Sequence, residues 1–243
     1  MKSDIITLLS TTEAQRVSGM IQACSLHLEY RKLKASEETR KEALERIQDL
    51  LRRNQYDVLY YNYTEEQLEE EVKKLQKSQE VITQMEEEAV KLAQRWGAEA
   101  ELARRAGILH DCTKYYELPE QLEICAKYGV ELDELEQKAV KLLHSKTGAC
   151  IAREVFGQPQ AVYDAIFWHT TGKADMTTLE KVLYIADYME PNRDFDGVER
   201  LRHLAYTDLD KAMLLGVEMT IQEMQQRQVP IHKNTLQARD WLR

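Results

Sequence analysis

The sequence is poor in residues that interrupt helices, with only 9 glycines and 4 prolines among its 243 residues. Turns are therefore expected to be scarce, and secondary-structure elements long. Its 4 cysteines form no CxxC pair and no paired spacing. They are Cys24, Cys112, Cys125 and Cys150. We interpret all of them as reduced packing groups in a cytoplasmic protein rather than as disulfides or metal ligands.

An excess of positive charge and a long apolar run are also missing. The 33 Lys and Arg residues face 42 Asp and Glu residues, for a formal net charge of -9. This balance argues against bulk binding to nucleic acid or to an anionic membrane, because both require a basic face. The apolar run from Ile5 to Leu9 is too short for a signal peptide or a membrane span.

Helical periodicity is what the sequence has in abundance, and neither strand alternation nor an internal repeat interrupts it. These patterns predict an all-α fold. Residues 1–62 read as a helical extension of unknown role, and residues 63–243 as a second domain. Within the second domain, one helix is predicted from Asp133 to His144, and a separate one from Thr147 to Phe156.

The most distinctive chemistry lies at the turn after Leu109, where the doublet His110-Asp111 is followed three residues later by Lys114. Further ligand-type residues stand in apolar helical stretches downstream: His144, His169 and Asp187. Imidazoles and carboxylates that return to one point are the ligands of a divalent metal. A histidine alone is more often a packed or surface residue, but an unpaired buried carboxylate is costly. Among the other basic residues of this region, Lys146 and Lys173 are interpreted as surface charges, and His203 and His232 as packed or surface residues.

Five motifs occur in a fixed order along the chain. They are Ala106 to Lys114 (AGILHDCTK), Leu143 to Ala149 (LHSKTGA), Ala165 to Gly172 (AIFWHTTG), Leu179 to Arg193 (LEKVLYIADYMEPNR) and Thr207 to Ala212 (TDLDKA). From about Leu68 to the C-terminus, this pattern resembles the HD-domain phosphohydrolases. Within them it is similar to the YqeK family of symmetrical dinucleoside-tetraphosphate hydrolases.

The resemblance implies an HD-domain helical bundle with one or two divalent transition-metal ions, of which iron is expected. The metal ligands that it implies are His110, Asp111, His144, His169 and Asp187. Asp111 would bridge two ions, and a metal-activated hydroxide would attack phosphorus. The expected reaction converts diadenosine tetraphosphate into two ADP, so the expected partner is a small nucleotide polyphosphate. The sequence leaves a homodimer open.

The resemblance also assigns contacts with the substrate. Asp111 and Lys114 are the expected catalytic residues. The expected substrate-binding residues are Lys114, His144, Thr170, Thr171, Gly172 and Arg193. Lysine suits a point contact with a phosphate and arginine a bidentate one.

One position departs from the family pattern, since Val81 stands where the family has its first metal-binding histidine. A valine cannot ligate a metal. Glu80, Gln84 or Glu88 could replace that histidine from the same helix, and His27 could do so from the N-terminal extension. The alternative hypothesis is a degenerate HD-domain protein that binds a nucleotide or a partner without catalysis.

Overall fold

A computed structural model of the chain describes residue 66, residues 84–114 and residues 116–243. The chain divides into two compact units, Met1–Val81 and Ile82–Arg243. In the first unit only Glu66 is described, and it is helical and exposed. The predicted helical extension, its boundary at residue 62 and the departure at Val81 therefore lie outside the described residues.

The described part of the second unit is helical and contains no strand, which confirms the all-α prediction. Residues 84–96 form helix α1. The elements that follow are α2 (Ala100–Leu109), α3 (Leu118–Lys127), a 3₁₀ turn (Glu136–Lys138), α4 (Val140–Glu154), α5 (Gln160–Trp168), α6 (Thr178–Met189), α7 (Val198–Thr207), α8 (Leu209–Gln226) and α9 (Lys233–Leu242). Among the residues described, no helix is both long and apolar enough to cross a membrane.

Local capping chemistry sets several helix ends. Thr177 begins α6 with a capping box, in which its hydroxyl accepts from the Glu180 backbone N–H and the Glu180 carboxylate accepts from the Thr177 N–H. The Asp208 carboxylate accepts from the third residue of α8 in the same way. Gly97 and Gly129 follow α1 and α3 at φ values of 76° and 69°, where a side chain would be strained.

The two helices predicted over Asp133–His144 and Thr147–Phe156 are wrong, because a single helix, α4, spans Val140–Glu154. Asp133 caps only a short turn: its Oδ1 accepts from the backbone N–H groups of Leu135 and Glu136. Gly148 does not break α4. A Cβ at Gly148 would lie 3.1 Å from the His110 carbonyl oxygen, so this glycine allows α4 to approach the end of α2 closely.

The core that holds the site together is aliphatic. Leu143 of α4, Ile166 of α5 and Leu183 of α6 are fully buried. Each such side chain stabilises the fold by about 1.5–3 kcal/mol relative to an exposed one. α5 packs against α4, α2 and α6. These four helices carry the candidate metal ligands or end next to them, so the core fixes the ligands relative to one another.

Candidate metal centre

The structure brings the five predicted ligands together in one cluster. His110 and Asp111 directly follow α2, His169 follows α5, and His144 and Asp187 lie within α4 and α6. His144 Nε2 lies 3.2 Å from Asp111 Oδ1 and 3.1 Å from His169 Nε2. His110 Nε2 lies 3.4 Å from Asp111 Oδ2 and 3.7 Å from Asp187 Oδ1. The carboxylate of Asp111 therefore stands between the imidazoles.

Two of the three imidazole rings are oriented by backbone carbonyl groups. His110 Nδ1 donates to the Gly107 carbonyl at 2.8 Å, and His169 Nδ1 donates to the Ile166 carbonyl at 2.6 Å. Because Nδ1 of each of these two rings donates to a backbone carbonyl, Nε2 is the nitrogen that faces the cluster. This arrangement is typical of metal-ligating histidines, whose second nitrogen is fixed by an outer hydrogen bond.

Asp111 Oδ1 tests whether a cation fits this donor set. The atom is buried and accepts no hydrogen bond of good geometry from any described residue, although His144 Nε2 is only 3.2 Å away. An unsatisfied buried carboxylate oxygen costs free energy. The ligand atoms of His110, Asp111 and His169 all lie within 4.8 Å of one another. A divalent cation would supply the missing partner, so these side chains could hold a metal.

Electrostatics gives two neighbouring histidines opposite protonation states. Burial by itself lowers the pKa of His110. The charges of Asp111 and Asp187, and hydrogen bonds to both carboxylates, together have the larger effect and raise this pKa to about 10. Burial, His144 and His110 lower the pKa of His169 to about 3. Burial raises the pKa values of Asp111 and Asp187, but His110 and its hydrogen bonds hold both well below their usual range. At neutral pH both carboxylates are ionised and His169 is neutral, as metal ligation requires.

Two cationic side chains border the cluster. Lys114 Nζ lies 2.5 Å from Asp111 Oδ2, and Arg193 Nη2 lies 3.2 Å from Asp187 Oδ1. Their side chains are 42% and 41% exposed, so both charges can also reach a ligand in solvent. Burial lowers the pKa of Lys114, but Asp111 raises it by more, which keeps the amine protonated. An ammonium and a guanidinium at one edge suit an anionic ligand.

The hydroxyl groups in the turn after His169 form hydrogen bonds with other groups of the protein. Ser145 donates to the Leu142 carbonyl, so the Thr170 hydroxyl, 2.9 Å from Ser145 Oγ, is the donor in their contact. The buried Thr171 hydroxyl donates to the Gly172 carbonyl. Both hydroxyl hydrogens are thus engaged, so Thr170, which is half-buried, could contact a ligand through its hydroxyl oxygen only as an acceptor.

Two of the residues that the sequence offers as ligands in place of a histidine at Val81 have other partners. Gln84 Oε1 accepts from the Asn192 side-chain amide at 2.7 Å. Glu88 Oε1 accepts from the Tyr206 hydroxyl at 2.5 Å. The other two, Glu80 and His27, lie outside the described residues.

The prediction that Lys146 is a surface charge is wrong, because its side chain is buried in an ion-pair network that also contains the packed His232. Glu136 Oε1 lies 2.9 Å from Lys146 Nζ and 3.1 Å from His232 Nε2. Asp133, Glu136 and His232 also have the spacing of a metal site. However, His232 Nδ1 accepts from the Asn234 N–H, so Nε2 carries the proton and cannot ligate. Glu136 and His232 are 96 positions apart, and no local signal could have paired them.

Comparison with known proteins finds a matching family and several similar relatives. Residues 84–192 match the HD-domain family. The chain is 37% identical over 155 residues to a symmetrical bis(5'-nucleosyl)-tetraphosphatase from Bacillus subtilis, covering 63% of this chain and 83% of that protein. It is 38% identical over 151 residues to the protein of the same name from Halalkalibacterium halodurans, covering 62% of this chain and 80% of that one.

A solved structure is similar as well. The crystal structure of a predicted HD superfamily hydrolase involved in NAD metabolism, from Clostridium acetobutylicum, is 39% identical. It superimposes with a TM-score of 0.65 over 67% of this chain and 87% of that one. The helical fold and the His-Asp cluster thus define a phosphohydrolase of the HD-domain class. The 37% identity to the Bacillus subtilis protein, over an alignment that covers 83% of that protein, narrows the class to one family. The chain belongs to the YqeK family of symmetrical bis(5'-nucleosyl)-tetraphosphatases.

Proposed function

We propose that the chain hydrolyses diadenosine tetraphosphate to two ADP in the cytoplasm, at a metal site centred on Asp111. The observation that carries the proposal is the buried Asp111 Oδ1, which accepts no hydrogen bond of good geometry from a described residue although imidazole nitrogens lie 3.2 and 3.8 Å away. The relatives named as symmetrical tetraphosphatases support the choice of substrate.

The ligands divide into two overlapping sets. His110, Asp111 and Asp187 would hold one ion, and Asp111, His144 and His169 the other. Imidazole and carboxylate ligands suit iron among other transition metals, and the family resemblance favours iron. When bound, such ions supply a hydroxide nucleophile at neutral pH and neutralise charge on the phosphoryl oxygens.

The residues of the chain itself would bind and orient the polyphosphate. Lys114 offers a point charge beside Asp111, and Arg193 offers a planar fork beside Asp187. Arg202 fixes the segment that carries Arg193 by donating to the carbonyl groups of Met189, Glu190 and Arg193. A fixed segment holds a phosphate at less entropic cost than a mobile one.

Metal analysis and product analysis on one sample test the proposal. The purified chain, reduced and supplied with Fe²⁺ or Mn²⁺, should convert diadenosine tetraphosphate into ADP alone. Formation of ATP and AMP would reject symmetric cleavage, and absence of turnover would reject the enzyme. Asp111→Asn is the matched control, because it keeps the side-chain shape but should lose both metal and activity.

The second candidate is a degenerate member of the family that binds nucleotide without cleaving it, and Val81 favours it. This candidate predicts fewer than two ions per chain and nucleotide binding without turnover. Val81→His should then raise the metal stoichiometry or the rate. An unchanged stoichiometry and rate would mean that another residue already fills the position, or that the family's histidine does not align with Val81.

A further inference from the structure

The C-terminal helix α9 contacts the turn that follows His169. Thr235 Oγ1 donates to the Thr171 carbonyl at 2.9 Å, and both residues are buried. A Cβ at Gly172 would lie 3.3 Å from Ala238 Cβ, so α9 packs directly against this turn. Because Thr171 is two residues after His169, the Thr235 hydroxyl limits how far the end of α5 can move.

Helix α9 is also connected to the surroundings of His144, through side-chain contacts that form a second route. His232, at the N-terminus of α9, donates through Nε2 to Glu136 Oε1, and the same oxygen accepts from Lys146 Nζ. Lys146 lies on α4, two residues after His144, and its ammonium is 4.3 Å from the centre of the Phe167 ring. The side chains of this network are less than one tenth exposed. Buried donors that share one carboxylate oxygen have little freedom to rearrange.

We propose that α9 is a positioning element of the metal centre, and that Thr235 and His232 set the placement of His169 and His144. The inference rests on the proposed metal site but concerns residues beyond 84–192, the part that matches the HD-domain family. The Nε2 atoms of His144, on α4, and of His169, which directly follows α5, are 3.1 Å apart. Ligand placement matters at about 0.5 Å, so a small rotation between α4 and α5 would impair binding of an ion.

The test compares three substitutions in the full chain. Thr235→Val keeps the shape and removes the donor, whereas Thr235→Ser keeps the donor. Thr207→Val removes an exposed hydroxyl whose hydrogen bonds to described residues lie within α7, and serves as the control. Two quantities are measured: the dissociation constant for Mn²⁺, and the imidazole ¹⁵N resonances of the metal-free chain.

Thr235→Val should move the His169 resonances and raise the Mn²⁺ dissociation constant about tenfold, the lower end for loss of an outer hydrogen bond. Thr235→Ser and Thr207→Val should leave both quantities close to those of the unsubstituted chain. The proposal is overturned if Thr235→Val lowers only the melting temperature while the resonances and the dissociation constant stay unchanged. It is also overturned if Thr235→Ser behaves like Thr235→Val.

Lys146→Met tests the second route and does not depend on whether Thr235→Val folds. The substitution keeps the stem beside Phe167 and leaves Glu136 paired with His232. Moved His144 resonances support the proposal, and unmoved ones overturn it. If the unsubstituted chain binds no Mn²⁺, the proposed metal site fails, but the resonances still decide whether α9 positions the histidines.

Discussion

Metal binding should displace a proton from His110, because this imidazole is protonated at neutral pH. Burial lowers its pKa, and the neighbouring Asp111 and Asp187 carboxylates raise it to about 10. At pH 7.5 the protonated ring outnumbers the neutral ring by roughly 300 to one, since each pKa unit is a factor of ten. His169, with a pKa of about 3, is already neutral and has no proton to lose.

The sign and size of the effect follow from this difference. A metal binds only the neutral ring, so an ion held by His110 must release about one proton. Affinity for Mn²⁺ should therefore rise roughly tenfold per pH unit between about pH 6 and pH 9, or about 1.4 kcal/mol per unit. The gain should level off as the pH passes the pKa of about 10.

Calorimetric titration with Mn²⁺ in two buffers of different ionisation enthalpy measures the released protons. Repeating the titration at several pH values gives the slope of affinity against pH. In the His110→Gln variant the side chain at position 110 carries no titrating proton, so the slope of the logarithm of the affinity against pH should fall by about one. Equal slopes in the two proteins, or an affinity of the unsubstituted chain that does not change with pH, would refute the assignment of the proton to His110.

Two further substitutions test the edge of the site and its packing. Lys114→Met should lower kcat/KM roughly 10- to 100-fold, because it removes a charge-assisted contact worth about 1.5–3 kcal/mol. Lys91→Met, at a lysine that is 56% exposed, should leave kcat/KM unchanged. Gly148→Ala should lower the free energy of unfolding by about 1–2 kcal/mol. The added Cβ would lie 3.1 Å from the His110 carbonyl oxygen, and the cost of this close contact should exceed the helix-propensity gain of about 1 kcal/mol. Gly216→Ala meets only side chains, at 3.5 Å or more, and should be neutral or stabilising in the same urea titration.

Helix ends could be predicted from the sequence where the signal is local. The capping box of Thr177 and Glu180 lies within four residues, and Gly97 ends α1 through its own backbone freedom. The continuity of α4 could not be predicted in this way. Gly148 is a helix-breaking residue by propensity, and only the nearby His110 carbonyl, 38 positions earlier, explains its presence.

The candidate ligands could be predicted because each stands in a motif, but their mutual geometry could not. The 3.1 Å approach of His144 and His169 depends on how α4 and α5 pack, which no spacing along the chain encodes. No sequence pattern predicts the buried network of Glu136, Lys146 and His232. Its members are single polar residues whose partners become visible only in the fold.

The charges of the cluster indicate the kind of ligand that it accommodates. At neutral pH the imidazolium of His110 and the cations of Lys114 and Arg193 balance three carboxylates, those of Asp111, Asp187 and Glu190, of which the last lies 3.5 Å from Arg193 Nε. Exchange of the His110 proton for a divalent ion adds one positive charge, and a second ion adds two. Such an excess is unfavourable in a partly buried site unless an anion accompanies it. A polyphosphate supplies that charge, so the electrostatics of the metal-loaded site favours a polyanionic substrate over a neutral one.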